Sequence, residues 1–438
     1  MNLRRAPALR ALILGACLLS GAYGGIAIVH AQGNAPVADT MDLAEVLRIV
    51  REVSPRLALE RQNISGAEAN RISAGAYPNP TINYGRYRPQ GGQATLFDGS
   101  RQEQVTVDVP LLIAGQRTAR VEKAEREIEA ARARLAVGAS SLAAEAGVAF
   151  VALLASQEKT ALLSLSNAEL SRLRDIVAGR AELGVASRYD TTRLDVELGS
   201  FRTKLEDAKA DIADRAGTLA ALLGLPRLRP KASGTFAPLT LAADSLNTPR
   251  ERASTSPAVT AAAQDENAAH SGIEVAQRER WPVPSISIGR SWTSHPYGAA
   301  NFLGLSVEIP IFDTRRGQVA KAESDANAAR LRRELAQAEV AANLERYANV
   351  ITARQSALQR FDKESASRLP ALKEMAEQAY RLGRSSIFEL LDATRTRHEL
   401  QQARIDLVAS LIEAQLRFLA TSGSLEQTAV GSGDKVKR

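Results

Sequence analysis

The sequence is poor in the residues from which metal sites, disulfide frameworks and large aromatic cores are built. Its 438 residues include one cysteine, four histidines and three methionines, and aromatic residues make up only 4% of the total. A single cysteine excludes an internal disulfide, and the scattered histidines have no metal-ligand spacing. No phosphate-binding loop, Ser/His/Asp group or pair of carboxylates stands out from the charged background. We therefore expect no enzymatic activity, no cofactor and no resident metal.

The charge pattern is equally unsuited to nucleic acid. The formal net charge is +7, but the charges alternate in sign, as in residues 122–127, Glu-Lys-Ala-Glu-Arg-Glu. No basic cluster is interleaved with aromatic residues, so we exclude a nucleic-acid partner. The abundance of Ala, Glu, Arg and Leu instead favours long helices.

Residues 1–31 have the pattern of a signal peptide. Three arginines precede an apolar segment, which ends in Val29-His30-Ala31, a suitable cleavage sequence. Cleavage there would leave Gln32 as the mature N-terminus. Residues 14–17, Leu-Gly-Ala-Cys, offer the alternative of a lipobox in which Cys17 is acylated. Either reading predicts that the protein leaves the cytoplasm.

The segment 117–183 runs for more than sixty residues without a proline. Apolar residues recur in it every seven positions, and small residues occupy the second position of the same repeat. They are Val121, Ile128, Leu135 and Leu142 in the first set and Ala124, Ala131 and Gly138 in the second. This heptad pattern predicts a long helix closely packed in a left-handed supercoil. At ~1.5 Å per residue the helix would be roughly 100 Å long, too long for a compact globular domain.

The second half of the chain repeats the first at an offset near 202 residues. The matching motifs occur in the same order in both halves. They are Ser54-Pro55 and Ser256-Pro257, Tyr77–Pro80 and Trp281–Pro284, Val107–Pro110 and Val307–Pro310, and Gly115-Gln116 and Gly317-Gln318. Such ordered self-similarity indicates an internal duplication.

Two structural repeats, 32–225 and 256–420, follow from this duplication. The connection 226–255 joins them, and the tail 421–438 is predicted to be disordered because it is rich in Gly, Ser and charge. The elements predicted in the first repeat are strands at 81–88 and 103–109 and a long helix at 117–183. Those predicted in the second repeat are strands at 285–292 and 302–309 and a long helix at 317–382, without a break until Pro370.

The predicted strands alternate apolar and polar residues, as strands in the wall of an outer-membrane barrel do. Their apolar positions alternate with polar ones and include Val105, Val107 and Val109 in the first repeat and Leu303, Leu305, Val307 and Ile309 in the second. Runs of about nine residues with one apolar face match an outer-membrane barrel. Four strands cannot close a barrel, and open sheet edges are not tolerated in lipid, so the edges are expected to pair with other copies. The loops between paired strands, Pro89–Arg101 and Thr293–Asn301, are then predicted to lie at the cell surface.

The last helix has two apolar seams, which indicates neighbours on both sides. One seam contains Thr394, His398, Gln401, Ile405, Val408, Ile412 and Leu419, and the other contains Leu400, Leu407, Leu411 and Phe418. Such a helix suits a closed ring of helices. We interpret His398 as a packed or hydrogen-bonded seam residue rather than a ligand.

Together with the repeat order, two sets of motifs resemble the TolC-like outer membrane efflux factors. Residues 380–393, Tyr-Arg-Leu-Gly-Arg-Ser-Ser-Ile-Phe-Glu-Leu-Leu-Asp-Ala, are similar to that family's turn into its last helix. Tyr77–Pro80, and Pro110-Leu111 followed by Gly115–Arg117, resemble its heavy-metal cation (CzcC-like) branch. The resemblance covers nearly all of the mature chain. It implies an α+β membrane protein, a homotrimer whose twelve-stranded outer-membrane β-barrel continues into a periplasmic α-helical barrel, with the connection 226–255 at its equator.

The resemblance also implies a function and partners. The protein would be the passive exit duct of a tripartite efflux system in the outer membrane of a Gram-negative bacterium, carrying heavy-metal cations or drugs. Its partners would be outer-membrane lipid, a periplasmic membrane fusion (adaptor) protein and an inner-membrane pump of the RND type, or of the ABC or MFS type. The alternatives are an exported coiled-coil structural or adhesive protein and the outer-membrane component of type I protein secretion.

Site residues follow from the resemblance at the far ends of the long helices. The two turns expected to dock on the adaptor are Leu183, Gly184, Val185, Ala186 and Ser187, and Leu382, Gly383, Arg384, Ser385 and Ser386. Glu389 and Asp392 lie three residues apart on one helix face and match the family's acidic constriction, a periplasmic gate. The first position is Asp in the family's best-known pattern and Glu here. The family's tip arginine has no clear match, since Ser385 occupies its place. The alternative role for both acids is to complement the positive end of the helix.

Overall fold

The computed structural model describes residues 39–88, 102–241, 246, 249–293 and 298–425. The predicted signal peptide, the alternative lipidation site Cys17 and the predicted surface loop Pro89–Arg101 lie outside the described residues, as do residues 294–297 of the second predicted loop.

The first repeat begins with a two-residue strand, β1 (Thr40–Met41), and two helices, α1 (Leu43–Val53) and α2 (Pro55–Ala74). The Asp42 carboxylate accepts the Glu45 N–H at 2.8 Å and thereby caps α1. A proline begins α2, where its missing N–H costs no helical hydrogen bond. The buried face of α1 consists of Val46, Leu47, Ile49 and Val50.

The long helix α3 (Gln116–Glu182) is continuous over 67 residues, where the sequence predicts 117–183. Several positions of its heptad pattern are buried against neighbouring helices. They are Ala124, Ile128, Ala131 and Leu142. The chain then returns along α3 as α4 (Arg188–Leu223). Small side chains at the seam allow the backbones to approach, so the heptad pattern accounts for the packing of the long helix.

The connection between the repeats, 226–255, contains local structure of its own. Its short strand β4 (Lys231–Ala232) pairs in parallel with β1, and a short helix, α5 (Pro249–Ser254), follows. The buried side-chain amide of Gln415 accepts the Leu239 N–H at 2.8 Å and donates to the Leu239 carbonyl at 2.9 Å. This paired hydrogen bond fixes the connection to the last helix of the second repeat.

The second repeat has a broken long helix. Its helices are α6 (Pro257–Arg278), α7 (Arg316–Glu364), α8 (Leu369–Arg381) and α9 (Ile387–Ser422). The prediction of one helix over 317–382 is therefore wrong, since a 3₁₀ turn, Ala366–Arg368, separates α7 from α8. Pro370 accounts for the break, because it offers no N–H to the carbonyl four residues earlier and its ring would clash there. It lies in the first turn of α8, where that loss is tolerated.

The longer strands form one antiparallel sheet in the order β2-β3-β5-β6. They are β2 (Thr81–Tyr87), β3 (Gln102–Pro110), β5 (Ser285–Thr293) and β6 (Ala299–Ser306). The two repeats meet at β3 and β5, and β2 and β6 each have one edge without a partner in the described part of the chain. The apolar face is open, with relative exposures between 58% and 78% for Ile82, Tyr84, Ile288, Leu303 and Leu305.

The prediction of a strand over 302–309 is wrong at its C-terminal end, because β6 ends at Ser306. Its partner β5 begins at Ser285, which pairs with Ser306. Pro284 precedes that residue, and no residue before Ser285 pairs with β6. Residues 307–309 consequently have no β5 residue with which to pair.

The prediction of a disordered tail over 421–438 is wrong at its start. Helix α9 continues to Ser422, and Gly423 ends it in a left-handed conformation with φ 76°. Gly423 lies against the proline that begins α6, and Leu425 is 4% exposed. This packing holds the first residues of the predicted tail, whereas residues 426–438 lie outside the described ones.

Candidate functional site at the helix turns

The turn between α3 and α4 is built around a glycine and a capping serine. Gly184 has φ 71°, which only glycine adopts without strain. The Val185 N–H donates to the Arg180 carbonyl at 2.9 Å and closes the end of α3. Ser187 Oγ accepts the Asp190 N–H at 3.2 Å, and the Asp190 carboxylate accepts the Ser187 N–H at 3.0 Å. This reciprocal pair starts α4 as a capping box.

The turn between α8 and α9 follows the same course with one difference. Gly383 has φ 69°, and the Arg384 N–H donates to the Ala379 carbonyl at 2.9 Å. Ser386 Oγ accepts the Glu389 N–H at 3.3 Å. No return hydrogen bond joins the Glu389 carboxylate to the Ser386 N–H in the described structure, so only the first turn has a complete capping box.

Arg180 connects the two turns. Its Nη1 donates to the Tyr380 carbonyl at 2.9 Å and to the Arg381 carbonyl at 3.1 Å. Its guanidinium carbon lies 5.1 Å from the centre of the Tyr380 ring. These carbonyls end α8, where the helix dipole is negative and a cation is stabilising. The positions of the two turns are therefore coupled through one side chain.

An apolar cluster underlies both turns and is shared by α3, α4, α8 and α9. It consists of Leu163, Leu170, Leu173, Val177, Leu194, Leu198, Phe201, Tyr380, Ile387, Leu390 and Leu391. The side chains at the turns themselves are open to solvent, with Leu183 80% and Leu382 67% exposed. The turns thus present apolar side chains from a firmly packed base.

The two predicted constriction acids, Glu389 and Asp392, are exposed on α9. Neither carboxylate forms a hydrogen bond or salt bridge with a described residue. Asp392 lies one turn before Arg395, whose Nε donates to Glu197 at 2.7 Å, and this hydrogen bond raises the pKa of Arg395. The hydrogen-bond partner of Arg395 is thus Glu197, and the negative charge of Asp392 contributes to the same rise in pKa.

Farther along the helices from the turns, one carboxylate joins three of them. Glu169 of α3 accepts a hydrogen bond from Lys373 Nζ of α8 at 2.7 Å and forms an ion pair with Arg397 of α9. Arg397 is only 8% exposed. Removing one member of a buried pair costs about 3–5 kcal/mol, because the other charge is left without a partner. Glu169 therefore holds the α8–α9 hairpin against α3.

His398 lies next to this ion pair and is packed and hydrogen-bonded, as its seam position predicts. Its Nδ1 is 3.1 Å from Ser166 Oγ, and its ring meets the Phe201 ring edge-on with centroids 5.1 Å apart. Burial lowers the pKa of His398 below its usual 6.5, and the positive charges of Lys204 and Arg397 lower it further. The ring is therefore neutral at pH 7.

The site presents exposed apolar side chains at both turns and two exposed carboxylates on α9. Across the described ranges, no three His, Cys, Asp or Glu residues lie close enough together to hold a metal ion.

The family model described as "Outer membrane efflux protein" matches residues 46–225 and 248–424, well over half of the chain. The chain belongs to the outer membrane efflux protein family. The matched segments correspond closely to the two repeats of helices and strands. The resemblance found in the sequence is thereby confirmed, and this efflux protein acts as a channel of the outer membrane.

Two relatives of this efflux protein carry the names of metal-resistance proteins. It is 27% identical over 318 residues to the nickel-cobalt-cadmium resistance protein NccC of Alcaligenes xylosoxydans xylosoxydans, which covers 70% of each chain. It is 24% identical over 415 residues to the cobalt-zinc-cadmium resistance protein CzcC of Cupriavidus metallidurans, or 90% of this chain and 89% of CzcC. The solved outer membrane protein VceC from Vibrio cholerae matches with a TM-score of 0.72 at 17% identity, over 87% and 96% of the two chains. The fold is that of the TolC-like channels.

Sequence reasoning missed residues at the turns of this efflux protein. Tyr189 and Phe388 are 68% and 62% exposed, and each follows its capping serine by two residues. Their equal positions in the two repeats were a usable signal. No sequence signal indicated the hydrogen bonds from Arg180 to the end of α8, because Tyr380 is 200 residues away in the chain.

Proposed function

We propose that three copies of this outer membrane efflux protein form the exit duct of a tripartite efflux system. The observation that carries the proposal is the four-stranded sheet, which has an open apolar face and two free edges, β2 and β6. Unpaired backbone groups are not tolerated in hydrocarbon. Three copies joined edge to edge would give a closed barrel of twelve strands, and lipid would cover its outer face.

The helices would continue this barrel into the periplasm. Helix α3 has 67 residues and is roughly 100 Å long at ~1.5 Å per residue. The turns at its far end, Leu183–Ser187 and Leu382–Ser386, would dock on a periplasmic adaptor through their exposed leucines. Because the duct itself performs no chemistry, an inner-membrane pump, of the RND type or of the ABC or MFS type, would supply the energy.

Heavy-metal cations are the substrates that we propose. The support comes from NccC and CzcC, whose names record resistance to nickel, cobalt, zinc and cadmium. The described part of this chain holds no cluster of metal ligands. We therefore assign the choice of substrate to the pump and passive conduction to the duct.

The proposal is tested by deleting the gene and restoring it on a plasmid. Deletion is expected to sensitise cells to nickel, cobalt, zinc or cadmium, and the restored protein should appear in outer-membrane fractions as SDS-resistant trimers. Antibiotics and detergents are profiled in parallel. Sensitivity to these alone would reject metal cations as substrates, and a protein that is only monomeric in the membrane would reject the duct.

The acidic constriction is the part of the site that we propose as the periplasmic gate. In a trimer, an axial residue occurs three times, and three crowded carboxylates repel one another, attract cations and exclude anions. Asp392→Ala, more than Glu389→Ala, is therefore expected to reduce cation selectivity and block by di- or trivalent ions in planar bilayers. Glu323→Ala, which removes an exposed acid of α7, is the matched control and should change neither property.

The alternative for both acids is complementation of the helix end, worth ~0.3–1 kcal/mol each. Glu389 is in the first turn of α9, so this role suits it better than Asp392. An Asp392→Ala channel with the selectivity and block of the unmodified protein would leave Asp392 no gating role.

A further inference from the structure

The joint between the two repeats inside one copy is a template for the joint between copies. Inside one copy, β3 pairs with β5. By the internal duplication, β6 is the counterpart of β3 and β2 is the counterpart of β5. We propose that β6 of one copy pairs with β2 of a second copy in the register that β3 and β5 use. The inference rests on the proposed trimer, which requires these edges to pair but leaves their register open.

The four strands match residue by residue in polar and apolar character. Residues 81–86 of β2 are Thr-Ile-Asn-Tyr-Gly-Arg, and residues 285–290 of β5 are Ser-Ile-Ser-Ile-Gly-Arg. Residues 105–111 are Val-Thr-Val-Asp-Val-Pro-Leu, and residues 305–311 are Leu-Ser-Val-Glu-Ile-Pro-Ile. The edge that receives β5 at the inner joint therefore has the same chemistry as the free edge of β6.

A glycine marks the register at the inner joint. Gly289 pairs with Thr106, and a Cβ at this glycine would lie 2.2 Å from the Val105 carbonyl oxygen and 2.7 Å from Thr106 Cγ2. Only glycine fits so close an approach. Gly85 is the counterpart of Gly289, and Ser306 is the counterpart of Thr106. The proposed register places Gly85 of the second copy opposite Ser306.

The end of β6 has the form of a strand that lacks its neighbour. In the first repeat Thr81 pairs with Asp108, whereas in the second repeat Ser285 pairs with Ser306, two residues short of the counterpart of Asp108. Residues 307–310 are consequently unpaired on the β5 side. In the proposed register they pair with residues 81–84 of the second copy and extend β6.

Ile311, which follows β6, also lacks the hydrogen bond to a neighbouring strand that its counterpart Leu111 has at the inner joint. At the inner joint, the Leu111 N–H donates to the Pro284 carbonyl at 2.8 Å and continues the pairing beyond the strand. The Ile311 N–H instead donates at 2.9 Å to the carbonyl two residues before it. Ile311 is 70% exposed and Phe312 is 99% exposed. The counterpart bond would run from the Ile311 N–H to the Pro80 carbonyl of the second copy.

Side-chain alternation excludes every register that differs from the proposed one by an odd number of residues. The proposed register places Ile82 opposite Ile309 and Tyr84 opposite Val307, all on the apolar face. A slip of one residue would oppose apolar to polar positions and is excluded by burial in lipid. A slip of two residues keeps the faces and would place Gly85 opposite Gly304 in one direction and opposite Glu308 in the other. The register with Gly85 opposite Gly304 is tested directly below, and in the one with Gly85 opposite Glu308 neither cysteine pair would lie directly opposite.

Paired cysteines make the distinction. Asn83 and Glu308 are the counterparts of Ser287 and Asp108, which pair at the inner joint. The double variant Asn83→Cys with Glu308→Cys is expected to give covalent trimers after oxidation with copper phenanthroline, seen on heated, non-reducing gels. Asn83→Cys with Ser306→Cys reports the two-residue slip and should remain monomeric, because diagonal neighbours are about 7–8 Å apart and a disulfide requires Cβ atoms about 3.5–4.5 Å apart.

Three controls make each outcome decisive. Asp108→Cys with Ser287→Cys should oxidise within one copy, and the unmodified chain, whose single cysteine is Cys17, sets the background. Ile82→Cys with Ile309→Cys repeats the test on the opposite face and should also give covalent trimers. The inference is overturned if only the slip pair crosslinks, or if no intercopy pair does while the unheated protein migrates as a trimer. A protein that never forms trimers overturns the proposed duct itself.

Discussion

At the scale of the residue, a polar layer interrupts the apolar seams of α3 and α9. Glu169 binds Lys373 and Arg397, and His398 lies one residue away beside Ser166. Buried polar groups of this kind contribute little net stability when they are satisfied and are costly when they are separated. We infer that this polar layer fixes the axial position of α8 and α9 relative to α3. A helix that slid along its axis would leave its buried charges without partners.

His398 makes the stability of this layer depend on pH. Its pKa is lowered in the folded protein, so below about pH 6.5 the unfolded chain binds a proton that the folded chain does not. Its contribution to stability is therefore present above pH 6.5 and is lost as the pH falls toward the folded pKa. Each unit of the shift corresponds to about 1.4 kcal/mol. Unfolding of the detergent-solubilised protein, followed by helical circular dichroism, should lose more stability between pH 8 and pH 5 than that of His398→Gln.

His398→Gln retains a hydrogen-bonding side chain for Ser166 and cannot titrate, which makes it the matched comparison. If both proteins lose stability equally on acidification, protonation of His398 is not the cause.

His398 also shows which properties of a residue can be predicted from the sequence and which cannot. The burial of His398 follows from its seam position, because helical periodicity fixes the face on which it lies. Its contact with Ser166 spans 232 residues of chain. Such a contact depends on how two helices are offset along their axes, and that offset depends on the packing of the whole bundle. The role of Arg180 at the end of α8 was hidden for the same reason.

At the scale of the element, the predicted end of a helix or strand was accurate where nearby residues determine it. The bounds of α3 were predicted within one residue, because the heptad pattern, a glycine before it and a Leu-Gly turn after it agree. The long helix of the second repeat was predicted too long, because a single Pro370 outweighs a favourable apolar pattern. Strand β6 was predicted to end too late, because its end depends on which residues of another strand are available to it.

The joint between α4 and α2 gives a test at this scale. Gly224 ends α4 with φ 74°, and a Cβ there would lie 2.3 Å from Pro55 Cδ. Gly224→Ala adds a strained backbone, about 1–2 kcal/mol, and an overlap that costs typically about 1–3 kcal/mol to relieve. We expect a lower urea midpoint. Gly217→Ala lies in the same helix with no neighbour within 4 Å and should be neutral or stabilising by about 0.5–1 kcal/mol.

Equal midpoints for the two variants would contradict the close approach of α4 to Pro55. The second repeat offers an independent check, since Gly423 lies against Pro257 with φ 76°. Gly423→Ala is expected to destabilise in the same direction.

At the scale of the whole molecule, the order of elements predicts an orientation. Within each repeat the strands precede the long helix, and the turns come at its far end. The open apolar face of the strands suits the outer membrane. We therefore expect the turns to lie on the periplasmic side and the loop ends of the strands to face outward.

Labelling of cysteines with a membrane-impermeant maleimide tests this orientation. Ala299 is exposed at the loop end of β6, and Leu382 is 67% exposed at the second turn. Leu382 is a better choice than Ser385, whose Oγ is buried. On intact cells that lack the adaptor and pump genes, Ala299→Cys should react and Leu382→Cys should not, because the outer membrane excludes the reagent from the periplasm. After the outer membrane is permeabilised, both should react, which shows that each thiol is accessible.

The reverse pattern would contradict this orientation. Reaction of Leu382→Cys on intact cells, with Ala299→Cys protected until permeabilisation, would mean that the helices point away from the periplasm. The proposed duct could then contact no inner-membrane pump.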